Sequence, residues 1–357
     1  MSPPPAIVYL EVPCFYAAVE RALDPSLVGR PVVVGGNPRK HGQVQSASPE
    51  ALAAGVKLGM PMLEALERCP EARAIKTDMG RYRERSGQLR ASLRREVAAI
   101  EPQGLEAAYV DASDAGDEPA TLAERLCDRV RRDLGLRPRA GIAQVKFLAK
   151  LAAEESGSKG ILQIALGQEA EFLRPLPVGR LPGVGPKTVQ TLSGLGVRWV
   201  GDLARVDASR IEQALGNHGL RILDLARGHE DSPVRVARHP QSLSKEQRFS
   251  EPQRDLGVLW EHLQRLSQAI EQALRREGLE ARRVALKVRY PDGETSTRSE
   301  TLPEPVSSSG AIYARAQHLL DRTQAPERAV RLLAVTVAGL SDAGVVDRQL
   351  DLFSPID

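Results

Sequence analysis

Cysteine is scarce: the chain has three, Cys14, Cys69 and Cys127, with neither CxxC spacing nor an even count. That pattern argues against structural zinc and for a reducing cytoplasm. Long apolar runs are missing as well. No stretch approaches the roughly 20 residues that cross a bilayer, and Met1 to Pro5 has neither the basic start nor the apolar core of a signal peptide. A cytoplasmic protein without a membrane partner is therefore expected. Nor does one charge dominate. Lys and Arg number 49 against 46 Asp and Glu, a net of +3 with 27% of residues charged, which excludes a polycation and leaves local basic faces as the feature to look for. There are no long internal repeats or low-complexity tracts.

What the chain has is length and patterning. With 357 residues, 42% of them hydrophobic, it can fill several cores, and two to three domains are expected. The first part alternates strand-like runs (IVYL, PVVVGG, GLEAAYVDAS) with helical ones (Tyr16 to Ala22, Pro49 to Ala54, Met62 to Glu67, Met79 to Ala98, Leu122 to Leu134), a mixed α and β composition. From about Glu171 to Val236 come short helices broken by glycine and proline. The polar segment VARHPQSLS reads as a linker. Beyond it, Leu256 to Glu277 has helical period closed by Gly278, and RVALKVRYPDGETSTRSETL alternates across a PDG turn, predicting a hairpin in a half-exposed antiparallel sheet. A helix (Gly310 to Arg322) and a strand (Val330 to Ala338) complete an α+β region.

Two stretches carry candidate chemistry. IVYLE, ending at Glu11, has the apolar run of a strand covered on both faces. An ionised carboxylate at its tip is costly unless a cation or donors meet it, so Glu11 is a metal ligand, the relic of one, or an ordinary acid at a strand end. LPGVGPKT, Leu181 to Thr188, has the helix-hairpin-helix pattern. Gly183 and Gly185 permit a tight turn with close backbone approach, and the amides of the following helix start, with Lys187 and Thr188, would face a phosphate. An ordinary glycine-bounded turn between helices is the plainer alternative, and the similar element GNHGLRILDLARG favours nucleic acid.

Taken together, FYAAVE, GRPVVVGG, SASPEALAAGVKLGMPMLEAL, EPQGLEAAYVDAS, GIAQVKFLAKLAAEESGSKGI, LPGVGPKTVQTLSGLGVRWVGDL and SLSKEQRF, with the RRVALKVRY hairpin, resemble Y-family translesion DNA polymerases, the DinB and UmuC group, over nearly the whole chain. The resemblance implies an α+β multidomain right hand. It has a ferredoxin-like palm (1–15 and 79–168), small fingers (16–78), a helix-hairpin-helix thumb (169–236), a linker (237–240), a little-finger domain (241–342) and a tail (343–357).

It also implies a site, and there this sequence departs from the pattern. The family holds two magnesium ions with two aspartates and a glutamate, activating the primer hydroxyl and stabilising the leaving pyrophosphate. The first aspartate position is Glu11, and the family's S-L-D-E motif reads Gly104-Leu105-Glu106-Ala107. Magnesium requires near-octahedral geometry at about 2.1 Å, and each longer side chain moves its carboxylate by roughly one bond length against a tolerance near 0.5 Å. Two such shifts and a missing ligand predict a crippled metal pair, unless Asp111 or Glu101 substitutes. On the fingers, Pro49 and Leu52 stand where the family has a triphosphate-holding tyrosine and arginine, and Pro13 replaces a further acid. Ser46, Lys146, Lys150, Phe15 and Tyr16 survive as candidate nucleotide contacts, Tyr16 at the steric-gate position. Fold maintenance explains them equally well, with the aromatic pair packing the palm–fingers junction and the lysines solvated.

Arg275, Arg276, Arg282, Arg283 and Arg289 surround the first helix and hairpin of the third region, a cluster expected to follow DNA phosphates. In the tail, Gln349, Leu350, Asp351, Leu352 and Phe353 match the pentapeptide with which bacterial polymerases dock on the sliding clamp. Leu352 and Phe353 supply apolar anchors and Gln349 directional hydrogen bonds. The combined expectation is a homologue that binds primer-template DNA and the clamp, works in damage tolerance beside another polymerase, and is catalytically impaired, similar to ImuB-type accessory proteins. The alternatives are an active error-prone polymerase using Glu11 and Glu106 with magnesium or a tolerant metal such as manganese, and a clamp-binding scaffold without a DNA role.

Overall fold

The computed structural model describes residues 6–113, 116–235 and 240–343, and the chain divides into two compact units at Val236/Ala237. The first unit is organised around β1 (Ile7–Glu11). This strand lies in the middle of a five-stranded sheet, antiparallel to β6 (Ala107–Asp111) on one side and β7 (Arg139–Ala143) on the other. β5 (Glu101–Gln103) and β8 (Ile161–Gln163) form the edges, giving the order β5-β6-β1-β7-β8. The central position explains the uninterrupted apolar run, because successive side chains go to opposite faces. Val8 and Leu10 enter a core shared with α1 (Phe15–Leu23), α4 (Met79–Leu93) and α5 (Pro119–Leu134), while Ile7 and Tyr9 enter another shared with α6 (Lys146–Glu155). Each fully buried side chain of this size contributes roughly 1.5–3 kcal/mol, so the strand is fixed from both sides.

How α6 packs depends on one glycine. A Cβ at Gly141 of β7 would fall 2.0 Å from the Ala149 carbonyl oxygen and 2.2 Å from the Ala153 nitrogen, so no other residue lets the helix lie this close to the strand. The start of α6 is secured from far along the chain. Val145 at its N-cap offers no side-chain acceptor, and the amide of Phe147 donates instead to the Glu230 carboxylate at 3.0 Å.

A smaller sheet, β3 (Val44–Ala47)-β2 (Val32–Gly35)-β4 (Arg73–Lys76), encloses its own core with α2 (Pro49–Ala53) and α3 (Met62–Arg68). The helical part follows as α7 (Glu169–Leu173), α8 (Pro186–Gly194), α9 (Val200–Leu203) and α10 (Ala208–Ala226). Gly216, at φ 61° and ψ −154°, kinks α10 into two helices. Leu181, Leu192, Leu203 and Ile222 of this module join the same core as Tyr9 and α6.

In the second unit, β9 (Ser242–Gln253), β10 (Leu279–Arg289), β11 (Thr295–Val306) and β12 (Val330–Asp342) form an antiparallel sheet in the order β11-β10-β12-β9. α11 (Leu256–Glu277) and α12 (Ser309–Asp321) contribute Leu263, Ile270, Leu274, Ile312 and Leu319 to the core on one face. Asp255 caps α11 by accepting from Gly257 N at 2.7 Å, and Gly278 closes it at φ 66° as the sequence predicts.

Three expectations about elements need correction. The helix expected over Met79 to Ala98 ends at Leu93, where Glu96 in the next turn is drawn to Arg125 and Arg129 of α5. GLEAAYVDAS is not one strand: Gly104 makes the turn between β5 and β6, and pairing starts at Ala107. The end of VARHPQSLS is strand rather than linker, since β9 begins at Ser242. The tail motif Gln349, Leu350, Asp351, Leu352 and Phe353 lies outside the described residues.

Candidate active site and nucleic-acid interface

The register of the five-stranded sheet determines what surrounds Glu11. Its direct partners are Ala107 on β6 and Arg139 on β7. A methyl group, a carboxylate and a guanidinium thus stand in one row. Arg139 Nε donates to Glu11 Oε1 at 2.6 Å, and its Nη1 donates to the Glu154 carbonyl at 3.2 Å. Tyr9, two residues back on the same face, donates its hydroxyl to Glu11 Oε2 at 3.2 Å. Burial and the neighbouring carboxylate push the Tyr9 phenol well above its usual range, so it remains a donor. The cation that a partly buried strand-end acid calls for is an arginine of the chain itself.

Glu106 turns back on its own loop. Its Oε2 accepts from the Leu105 amide at 3.0 Å, while Arg90 secures the turn by donating to the Gly104 carbonyl at 2.9 Å. Glu11, Glu106 and Arg139 line one cavity of 830 Å³ together with Pro13, Phe15, Tyr16, Ser46 and Leu52. Neither alternative acid comes to it. Asp111 lies across from Ile7, about 13 Å of strand from the Glu11 level, and Glu101 is paired with Lys146. Among the described residues no three His, Cys, Asp or Glu side chains come together as a metal-holding group. With one carboxylate bound by a guanidinium, the second turned to a backbone amide and a methyl in the third position, the residues present do not fit a pair of divalent ions.

The other candidates divide between cavity and framework. Tyr16 stacks on Tyr82 with ring centroids 4.2 Å apart and planes 6° from parallel. Tyr82 donates to the buried Glu20 at 2.7 Å, and Glu20 also accepts from Arg81 at 2.8 Å. Phe15 lies edge-on to Tyr16 at 6.2 Å. Both rings therefore reach the cavity from a fixed framework. Ser46 accepts from the Ala17 amide at 3.3 Å, joining β3 to α1. The lysines are not among the cavity's lining residues. Lys146 is buried, not solvated: it pairs with Glu101, its Nζ lies 5.5 Å from the centre of the Tyr109 ring, and the same Glu101 accepts from Arg235 N at 2.7 Å. Lys150 is 43% exposed, with Glu154 4.0 Å away.

In the helical module Gly183 takes φ 81°, a conformation that strains any residue with a Cβ. Its carbonyl lies 3.1 Å from His218 Nε2. Gly185 at the N-cap of α8 and Pro186 after it provide no capping side chain. Lys187 is exposed and Thr188 half-buried beside the first-turn amides, which have no helical acceptors.

The second unit presents a sheet face opposite the one that α11 and α12 cover. On β10, Val284, Leu286 and Val288 are buried in the helix-covered core, so Arg283, Ala285, Lys287 and Arg289 point the other way. Their register partners on β11 are Thr301, Ser299, Thr297 and Thr295, and on β12 Ala338, Thr336, Ala334 and Leu332. Cations thus alternate with hydroxyls and small side chains. The five arginines are divided between two elements, α11 and β10. Arg275 and Arg276 belong to the last turn of α11, where Arg275 lies 3.7 Å from Glu271 and Arg276 donates to the Gln272 carbonyl. Arg282 is exposed within the irregularity between Ala281 and Arg283.

Sequence reasoning missed Arg139, Tyr82, Glu20 and Glu230. Arg139 had a signal in RAGIA, a short strand opening on a charge, but only the strand order places it beside Glu11.

A sheet with an acid at the tip of its central strand, a small three-stranded subdomain, a helix-hairpin-helix element and a separate α+β unit make up the right-hand fold of Y-family DNA polymerases. Residues 10–154 match the impB/mucB/samB family, 168–197 the IMS family HHH motif and 240–352 the impB/mucB/samB family C-terminal domain. DNA polymerase IV of Halorhodospira halophila is 37% identical over 98% of this chain and 98% of its own length; DNA polymerase IV 1 of Bacillus subtilis is 34% identical over 98% and 85%. Among solved structures, a Y-family polymerase chimera of Dbh and Dpo4 superposes with a TM-score of 0.82 at 23% identity, covering 94% of this chain and 99% of that one. An insertion ternary complex of Dbh DNA polymerase gives 0.72 at 22% identity, covering 93% and 98%. The chain belongs to the impB/mucB/samB family, within the Y-family, DinB/UmuC superfamily of DNA polymerases.

Proposed function

We propose that this chain binds primer-template DNA in translesion synthesis and damage tolerance, but is impaired in nucleotidyl transfer and serves as an accessory to another polymerase. The observation that carries the reading is the contrast between two parts. The palm tip has Glu11 paired with arginine, Glu106 bonded to its own loop and Ala107 in the remaining acid position. The surfaces suited to phosphates are the uncapped start of α8 and the β10 face, with Arg283 and Lys287 exposed and Arg289 half-buried. Relaxed demand on one chemical step accounts for changes concentrated in one place. The tail sequence from Gln349 to Phe353 supports sliding-clamp docking in the same reading.

Primer extension by the purified chain, with magnesium or manganese, tests it. Lost metal stabilisation of several kcal/mol corresponds to extension about a thousandfold or more below that of a DNA polymerase IV relative, while primer-template binding persists and weakens steeply with salt. Robust extension abolished by Glu106→Gln would establish an active polymerase instead. The full-length identity to DNA polymerase IV proteins favours that second reading. Binding that ignores salt would favour a scaffold without DNA. Deleting Gln349 to Phe353 should remove clamp pull-down and leave DNA binding intact; unchanged pull-down rejects the tail assignment.

A further inference from the structure

We infer that Arg139 takes the place of a divalent cation at the palm tip: its guanidinium neutralises Glu11 and bars metal from that carboxylate. This goes beyond the replacement of the acids, because it names a group whose removal would readmit an ion. Three observations carry it. Arg139 is set directly across from Glu11 by strand register, so the pair belongs to the sheet and not to a loop. Its donors are committed on both sides, Nε and Nη2 toward Glu11 Oε1 and Nη1 to the Glu154 carbonyl, while Tyr9 covers Oε2. The pair is also shielded, with side-chain exposures of 13% for Glu11 and 29% for Arg139, where water screens charge poorly.

An ion on Glu11 would sit about 2.1 Å from an oxygen that already has a guanidinium nitrogen at 2.6 Å. Two positive centres would then share one carboxylate. On the opposite side Ala107, the register partner of Glu11, presents a methyl and supplies no acid to offset the repulsion, and Glu106 in the same cavity is bonded to the Leu105 amide. Restoring the acids alone, as Glu11→Asp, Glu106→Asp and Ala107→Glu together, therefore leaves Arg139 in the way.

The inference rests on the proposed impairment of the palm, but its test uses neither DNA nor nucleotide, so either can fail without the other. Manganese binding is followed by electron paramagnetic resonance on the full chain, for the unaltered protein and for Glu11→Gln, Arg139→Gln and the double variant. The expected result is identical binding by the unaltered protein and Glu11→Gln. Arg139→Gln should gain a site at least tenfold tighter than anything in the unaltered chain, and the double variant should lose it. A manganese site in the unaltered protein that disappears in Glu11→Gln overturns the inference, as does a folded Arg139→Gln that gains nothing. If Arg139→Gln does not fold, the comparison of the unaltered protein with Glu11→Gln decides alone.

Discussion

Replacing Gly141 by alanine should destabilise the first unit by about 3 kcal/mol, the upper end of ordinary overpacking costs. The new Cβ would lie 2.0 Å and 2.2 Å from backbone atoms of α6, the Ala149 carbonyl oxygen and the Ala153 nitrogen. Contact between such atoms is comfortable only near 3.5 Å, so α6 must retreat by roughly 1.5 Å. No rotamer can relieve a clash with main chain. The retreat would loosen Phe147, Leu148 and Leu151 from the core they share with Tyr9, and would draw the Glu154 carbonyl away from Arg139. The same substitution at Gly87, inside α4 and with nothing within 4 Å of the added atom, should stabilise by about 0.5–1 kcal/mol, since alanine restricts the unfolded chain and favours helix. Urea unfolding followed by Trp199 fluorescence in a Trp260→Phe background reports on the first unit alone, because Trp260 lies in the second. Opposite shifts of the midpoint at constant slope are expected. A neutral Gly141→Ala, or shifts of the same sign, would refute the close-approach argument.

Three further outcomes follow from named contacts. Glu230→Ala should cost about 1 kcal/mol by removing the acceptor that caps α6, measured by the same urea series. Glu96 is held below the ordinary carboxylate range chiefly by its hydrogen bond to Arg129, against the opposing effect of desolvation. Its contribution is thus fully present above the unfolded value of about 4.3 and lost as pH falls through the lower folded value. Glu96→Gln should flatten that acid limb of the stability curve, and an unchanged limb would remove Glu96 from the account. Neutralising Arg283, Lys287 and Arg289 together to glutamine should weaken primer-template binding and lower the slope of log K against log salt by about 2–3; fluorescence anisotropy across a salt series would show it.

Where a single element determines itself, the sequence was legible. The run from Leu256 to Glu277 carries helical period, an aspartate before it and a glycine after it, and α11 has those bounds. IVYL predicts a strand covered on both faces because four consecutive apolar residues can satisfy no other strand environment, and the two cores divide them alternately. The candidate site was legible only in its identities. That Glu11 needs a cation follows from desolvation; that the cation is Arg139, 128 positions away, follows from β7 lying beside β1, which no local pattern encodes. The same limit explains Lys146: alone it looks solvated, but Glu101, at the start of β5, takes it into the interior.

Tertiary placement also changes what the surviving motif residues mean. Tyr16 occupies a steric-gate position in the family pattern, and here its ring is fixed by a chain of contacts through Tyr82 and Glu20 to Arg81. That framework stands whether or not a nucleotide enters, so retention of Tyr16 does not by itself argue for catalysis. Leu52 lines the same cavity and adds an apolar side chain where the family pattern has an arginine. The cavity thus combines two aromatic rings, a leucine and an acid already paired with an arginine of the chain. Packing that the fold needs in any case keeps those rings in place, so the cavity's shape does not by itself decide what enters it.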